Sequence, residues 1–240
     1  MMKEEKVSVS SKFWLCSADC LCGTLSGLIT GGGMTYFYTK YLGLDEGLAS
    51  IVWMIFAVWN ALNDPLFGYI SDRTKSKLGR RIPYIRYGAL LYGVIFILSW
   101  FLWPLGGSQT ALFVQMLVSL FFFDTFYTAI ATSLYVLPYT MAESNQARSG
   151  IFVWKIFFTL LSLAAPLVLF PLVRPDVGES ASRFQTIMIM LGVVTTLIIF
   201  FSTFFYKEKY TSDAEEAPGL WESICQCFKN RAFLVYEVIS

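Results

Sequence analysis

The chain has 240 residues, of which 56% are hydrophobic, 18% aromatic and 15% charged. A typical soluble domain carries about 25% charged residues, so an ordinary water-soluble globule is excluded. The net charge is +1 and histidine is absent, which removes histidine-based zinc sites, histidine-paired nucleophiles and a bulk field for nucleic acid. The sequence predicts an all-α integral membrane protein that is not an enzyme and uses no cofactor or metal.

Six apolar blocks are long enough to cross a bilayer, since a hydrocarbon core of about 30 Å takes about 20 helical residues. They cover residues 13–38, 48–70, 84–103, 111–137, 151–173 and 184–206. The loops between them lie at 43–47, 71–83, 104–110, 142–150 and 174–183. We therefore expect a six-helix transmembrane bundle over residues 1–206.

A different composition follows the sixth block. Residues 207–229 are rich in charge, and a new apolar run occupies 230–240. We expect a central linker over 207–229 and the start of a truncated seventh transmembrane helix over 230–240. The chain would then be the amino-terminal part of a longer protein.

The distribution of basic residues predicts the orientation. With six spans, fourteen Lys and Arg residues fall on the side that carries the amino terminus, and three fall on the other side. Cytoplasmic loops carry the excess of Lys and Arg. We therefore expect the amino terminus and residues 71–83, 142–150 and 207–229 to be cytoplasmic in a multi-pass cell-membrane protein.

Four charged side chains lie inside the apolar blocks: Asp19, Asp64, Asp124 and Lys155. Each costs roughly 2.5–3.5 kcal/mol near a helix centre, so each needs a structural or functional reason. Helical rise places Asp19 and Asp64 about 9 Å, and Lys155 about 6 Å, from the cytoplasmic side. Three helices therefore bring charge to a similar depth.

These charges predict an internal polar cavity that binds a proton or small cation and a hydroxyl-rich substrate. Asn60 lies four residues before Asp64 and shares its helix face, and Pro65 frees a carbonyl nearby. A purely structural interpretation is also open. In it, Lys155 reaches the interface and Asp64 pairs with the basic loop.

The stretch NDPLFGYISDRTKSKLGRRIPYIRYG at 63–88 resembles the signature of the glycoside–pentoside–hexuronide:cation symporters, the melibiose-carrier group of the major facilitator superfamily. The lone acid Asp19, the segment SLYVLPYTMAESNQARSG at 133–150 and the position of Lys155 agree with it. The resemblance implies the amino-terminal half of a twelve-helix fold, built from two three-helix inverted repeats.

The resemblance implies coupled symport of a sugar or glycoside by alternating access. Its partners would be a sugar-like substrate, a coupling cation, the lipid bilayer and a carboxyl-terminal six-helix half, with no nucleic acid. We expect substrate binding by Asp19, Lys155 and Asp124, and cation binding by Asp64, Asn60 and Asp19. In the basic loop, Asp72 can pair with arginines and latch helix ends. We expect this latch to comprise Gly68, Asp72, Arg73, Gly79, Arg80 and Arg81.

The sequence departs from the melibiose carriers at three positions. Ala18 and Ala57 replace basic residues of that pattern, and Asn60 replaces an acid. Sodium coupling, proton coupling and uncoupled transport therefore stay open. The alternatives to sugar symport are a carrier of lysolipids or other amphiphiles, and a membrane scaffold that transports nothing. The first predicts little dependence on Asp19 and Lys155, and the second predicts no accessible cavity.

Overall fold

A computed structural model describes residues 6–176 and 180–208. The long helices are α1 (Val9–Thr30), α2 (Glu46–Arg73), α3 (Ile82–Leu98), α4 (Gln109–Met141), α5 (Asn145–Val173) and α6 (Ser182–Ser202). A short helix, Gly33–Tyr36, and a π-helical turn, Phe37–Tyr41, lie between α1 and α2. This confirms the all-α six-helix prediction. Apart from its first two residues, the predicted linker lies outside the described residues, as does the predicted seventh helix.

Four of the helices begin with a side-chain cap at the amino terminus, and each of these caps lies before the predicted apolar block. Ser8, Asp45, Ser108 and Ser144 accept backbone hydrogen bonds in the first turns of α1, α2, α4 and α5. Such caps satisfy N–H groups that have no partner within the helix. Because α5 already begins at Asn145, the predicted loop 142–150 is too long. The polar first turns also explain why the predicted helix starts come late.

Two predicted spans, the third and the sixth, are too long at their carboxyl ends. The first is instead interrupted, because helical turns continue after the interruption to Tyr41. α1 ends at Thr30 because Gly32 takes a φ of 96°, in the left-handed region that glycine alone enters without steric cost. α3 ends at Leu98 and α6 at Ser202, although apolar residues continue beyond both. Composition shows how far the apolar residues extend, whereas the last backbone hydrogen bond of the helix defines where the helix ends.

Close packing of α1 against α5 positions the site. A Cβ atom on Gly23 would lie 2.5 Å from Ser162 Oγ, and one on Gly27 would lie 2.6 Å from Pro166 Cγ. Glycines four residues apart share one helix face and let two backbones approach closely. One turn before Gly23 on that face is Asp19, which therefore faces the beginning of α5.

Burial is uneven across the bundle. The rings of Phe96, Trp100 and Phe184 form part of the buried core around α3 and α6. By contrast, α5 buries only Ala147, Ile151 and Pro166, and many of its other apolar residues are exposed, among them Phe157 and Leu167. An uncovered apolar surface of this extent suits lipid or another apolar protein surface rather than water.

Five helical stretches of the described chain are long and apolar enough to cross a membrane. The sixth apolar helix, α3, has 17 residues and is about 26 Å long, slightly short of a hydrocarbon core. The protein is an integral, multi-pass membrane protein.

Candidate substrate and cation site

An ion pair joins α1 to α5 inside the bundle. Lys155 Nζ lies 3.5 Å from Asp19 Oδ2, and the two side chains are 14% and 23% exposed. The ammonium group also lies 3.5 Å from the Leu134 carbonyl oxygen and 5.5 Å from the centre of the Tyr135 ring. The pair offers acceptor oxygens and N–H donors side by side, the combination that hydroxyl groups bind.

Asp64 on α2 faces α4. Its Oδ1 accepts a hydrogen bond of 3.0 Å from Thr128 Oγ1. The next residue, Pro65, lies inside the helix and has no N–H to donate, so a carbonyl one turn earlier loses its helical partner. This free carbonyl oxygen and the Asp64 carboxylate belong to the same helical turn.

A second polar pair joins the same two helices deeper in the protein. Asn63 Nδ2 donates to Asp124 Oδ2 over 2.8 Å, and both side chains are buried. The oxygen of the same amide, Asn63 Oδ1, is buried without a hydrogen-bond partner among the described residues. An unpaired buried acceptor is costly, which makes this oxygen a candidate ligand for a cation or an acceptor of a hydrogen bond from a protonated carboxyl group.

The charges of the Asp19–Lys155 pair cancel, whereas those of Asp64 and Asp124 do not. Lys155 neutralises Asp19, whereas neither Asp64 nor Asp124 forms an ion pair with any residue that the structure describes. Asp124 is buried, whereas Asp64 is exposed. A buried carboxylate needs a counter-charge or a proton. The cluster of Asn63, Asp64, Asp124 and Thr128, called the acidic cluster below, supplies hard oxygen ligands for either.

One cavity of about 840 Å³ connects these groups. Asp19, Lys155 and Asp64 line it together, so the structure brings to one place the three charges predicted to lie at similar depth. Asn60 is exposed and lies outside the cavity lining. Asp124 is buried behind the lining against Asn63. The predicted cation and substrate roles of these residues stay predictions.

Several lining residues have no distinctive signal in the sequence. Tyr127, Thr128, Thr132 and Tyr135 of α4 all face the cavity. The spacing of Thr128 from Asp124, four residues, could have placed both on one helix face. The tyrosines could not be distinguished from the many aromatic residues that face lipid.

The predicted latch residues divide between two places. Arg81 Nη2 forms a salt bridge of 2.5 Å with Asp72 Oδ1, which joins the end of α2 to the start of α3, and its role as a latch stays a prediction. Arg73 instead stacks on Tyr69, with its guanidinium carbon 4.0 Å from the ring centre. Gly68 lines the cavity rather than the basic loop.

Glu208, which follows α6, completes the contacts of the basic loop. Its carboxylate accepts hydrogen bonds from the backbone N–H groups of Arg80, Arg81 and Ile82 at 2.9, 2.7 and 3.0 Å. Gly79 has a φ of 107°, and a Cβ atom there would lie 2.6 Å from the Glu208 carboxyl carbon. Sequence reasoning missed Glu208, because no local pattern connects it to a loop more than 120 residues earlier.

Comparisons with known proteins identify the family of the chain. Residues 23–238 match the family described as MFS/sugar transport protein. YagG of Escherichia coli K12, whose name describes it provisionally as a glycoside/cation symporter, is 26% identical over 78% of this chain and 40% of its own length. The inner membrane symporter YicJ of the same bacterium is 24% identical over 92% of this chain and 49% of its own length.

A third relative has a different kind of name. The sodium-dependent lysophosphatidylcholine symporter 1 of Mus musculus is 28% identical over 66% of this chain and 30% of its own length. The chain spans about half the length, or less, of these curated relatives. Because the family match covers most of the chain, and the symporter relatives agree with the motif at 63–88, this chain belongs to the MFS/sugar transport protein family, in the group of glycoside–pentoside–hexuronide:cation symporters.

Proposed function

We propose that this chain supplies one wall of the binding site of a secondary transporter that moves a sugar or glycoside together with a cation. The observation that carries the proposal is the opening of the Asp19–Lys155 pair and the carboxylate of Asp64 into one cavity. The name of YagG, which includes both glycoside and cation, supports this pairing of substrates.

The substrate end of the site is the ion pair. Asp19 accepts hydrogen bonds from sugar hydroxyls, and Lys155 donates to them. Both side chains are already desolvated and held in place, so little ordering remains to oppose binding. Asp124, predicted to bind substrate, contacts Asn63 instead. We therefore assign it to the cation end.

The cation end is the acidic cluster. A sodium ion would take oxygen ligands from Asp64, Asp124 and the unpaired Asn63 Oδ1, and a proton would neutralise one carboxylate. Both would relieve the same uncompensated charge between α2 and α4. The experiment below therefore distinguishes three cases: coupling to sodium, coupling to a proton, and uncoupled transport.

Coupling follows if the cation stabilises the conformation that binds the sugar better. A ligand shifts a conformational equilibrium only by its difference in affinity for the two states, and the effect is reciprocal. The acidic cluster and the ion pair both contact α4, through Thr128 and through Leu134. Cation binding that moves α2 against α4 would therefore alter the substrate end.

The cytoplasmic placement of the loop at 71–83 remains part of the proposal, and so does a carboxyl-terminal half that completes the site. The salt bridge between Arg81 and Asp72 would hold α2 and α3 in one conformation and break in another. We expect the protein to release its substrate chemically unchanged, as a transporter rather than an enzyme.

A carrier of lysolipids or other amphiphiles is the second candidate. Much of the cavity lining is apolar, including Val136, Phe152, Ile156 and Leu160, and the name of the mouse relative specifies such a substrate. The scaffold alternative predicted that no accessible cavity exists, and a cavity of about 840 Å³ counts against it.

The test is uptake of a panel of labelled sugars into membrane vesicles that contain the protein expressed from its complete reading frame. A sodium or proton gradient is imposed, and wild type is compared with Asp64→Asn and Asp19→Asn. We expect Asp64→Asn to abolish accumulation driven by the gradient. We expect Asp19→Asn to weaken sugar binding about tenfold or more, since a charged hydrogen-bond partner is lost.

Asp176→Asn is the matched control, because Asp176 is an exposed acid after α5. It should transport as wild type does. Gradient-driven uptake that survives Asp64→Asn would contradict the assignment of the cation site. If no sugar is taken up and a labelled lysophospholipid is, the second candidate replaces the first.

A further inference from the structure

Two smaller cavities continue the site along the seam between α1 and α5. The first, of about 330 Å³, shares Asp19, Tyr127 and Thr159 with the main cavity. The second, of about 420 Å³, shares Gly23, Thr30 and Leu163 with the first. The three therefore form one groove, which extends about 16 Å along α1 from Asp19 to Thr30.

The chemistry of this groove changes along its length. It starts at the ion pair of Asp19 and Lys155. Its middle part is lined by the small residues Gly23, Ser26 and Ser162. Its far end is mostly apolar: Leu163, Pro166, Leu167, Phe170 and Pro171 line it, together with the hydroxyl-bearing Ser162 and Thr30. Among the residues that the structure describes, no Asp, Glu, Lys or Arg lines this far cavity.

We infer that the substrate is an amphiphilic glycoside, whose sugar binds at Asp19 and Lys155 and whose apolar aglycone, a short alkyl or aryl group, lies in the groove between α1 and α5. This inference rests on the proposed function and names its substrate class. A free sugar would leave the apolar end unused. A simple hydrocarbon would leave the Asp19–Lys155 pair without the hydroxyl groups that it can bind.

Continuity with the sugar end identifies the occupant of the groove. Because Leu163 lines both smaller cavities, one molecule can extend from the ion pair past this side chain into the apolar end. The groove is therefore open where an aglycone attached to the bound sugar would lie.

The experiment measures how strongly a series of glycosides inhibits uptake of a labelled free sugar into vesicles that contain the protein expressed from its complete reading frame. The series is methyl, ethyl, propyl, butyl and hexyl glucoside, each below its micelle-forming concentration, with glucose as the reference. We expect the inhibition constant to fall about two- to fourfold for each added methylene, until the chain outgrows the groove.

A matched pair of variants separates the groove from partition into the bilayer. Both Leu163 and Val168 are exposed positions of α5, but only Leu163 lines the groove. Leu163→Trp therefore adds a ring to the groove, whereas Val168→Trp adds the same ring outside it. Leu163→Trp should abolish the dependence on chain length and leave glucose inhibition within about twofold of wild type. Val168→Trp should retain the dependence.

The outcomes distinguish the two proposals. Inhibition by every glycoside with equal strength would overturn the aglycone groove and leave sugar transport intact. A dependence on chain length that survives Leu163→Trp would assign the effect to the bilayer and also overturn the groove. If neither glucose nor any glycoside binds, the proposed sugar transport fails, and the aglycone groove fails with it.

Discussion

Replacing Glu208 by alanine tests whether the residue that follows α6 holds the basic loop in place. The substitution removes one carboxylate that accepts from three backbone N–H groups, those of Arg80, Arg81 and Ile82. These groups lie at the start of α3, where the helix dipole also favours negative charge. We expect the loop to detach from α6 and the protein to lose stability.

The magnitude follows from the three hydrogen bonds. A typical intramolecular hydrogen bond contributes about 1 kcal/mol net, so three give about 3 kcal/mol. The N–H groups of Arg80 and Arg81 belong to partly buried residues, and water replaces part of what they lose. The expected loss in the free energy of unfolding is therefore about 2 kcal/mol, which corresponds to a fall in Tm of about 4–8 °C in a protein of this size.

The assay uses thiols that the fold buries. Cys16, Cys20 and Cys22 are free and buried in α1, so a dye that fluoresces on reaction with thiols reports their exposure as the purified protein is heated. Lys207→Ala is the control, because Lys207 is the exposed neighbour of Glu208. A Tm for Glu208→Ala within 1 °C of the control would refute the reasoning.

Gly79 provides an independent check of the same contact. Gly79→Ala places a methyl group against the Glu208 carboxyl group and forces alanine into a φ of 107°, which costs about 1–2 kcal/mol by itself. Gly79→Ala should therefore lower Tm more in the wild-type background than in the Glu208→Ala background. Equal effects in the two backgrounds would mean that the two residues do not interact.

Two further predictions concern the packing of α1 and α5. Lys155→Ala should lower the free energy of unfolding by about 2–4 kcal/mol in the same thermal assay, because it leaves the largely buried Asp19 carboxylate without its partner. The double variant with Asp19→Ala should recover most of this loss, and a double variant less stable than Lys155→Ala would contradict the reasoning. Gly27→Ala should lower the free energy of unfolding by about 1–3 kcal/mol, because its methyl group meets the rigid Pro166 ring. Gly68→Ala, at a helical site with no atom within 4 Å of the added carbon, should raise Tm slightly, and equal shifts for the two glycines would argue against close packing of α1 on α5.

The class of the protein and three charged residues of the candidate site could be predicted from the sequence. Apolar blocks of about 20 residues have few alternatives to membrane helices, because lipid leaves backbone polar groups no partner outside the helix. The same cost makes each charge inside a block conspicuous. Asp19, Asp64 and Lys155 could therefore be chosen without a structure, and the motif at 63–88 indicated the family.

Sequence reasoning placed the helix boundaries less well, and it did not single out Asn63 of α2. Asn60 and Asn63 both lie within one turn of Asp64, and periodicity favoured Asn60 because it is four residues away. The rotation of α2 against α4 instead buries Asn63 against Asp124 and leaves Asn60 exposed. Helix rotation depends on packing between helices, which a residue pattern within one helix does not specify.

Tertiary structure alone decided the contacts between distant segments. The Glu208 carboxylate meets Arg80 and Ile82, and the groove between α1 and α5 continues the cavity at Asp19. Local sequence fixes which residues share a helix face, because a helix repeats every 3.6 residues. Which faces then meet is set by close packing of whole helices, where a glycine opposite a proline or serine brings two backbones together and determines the shape of the space beside them.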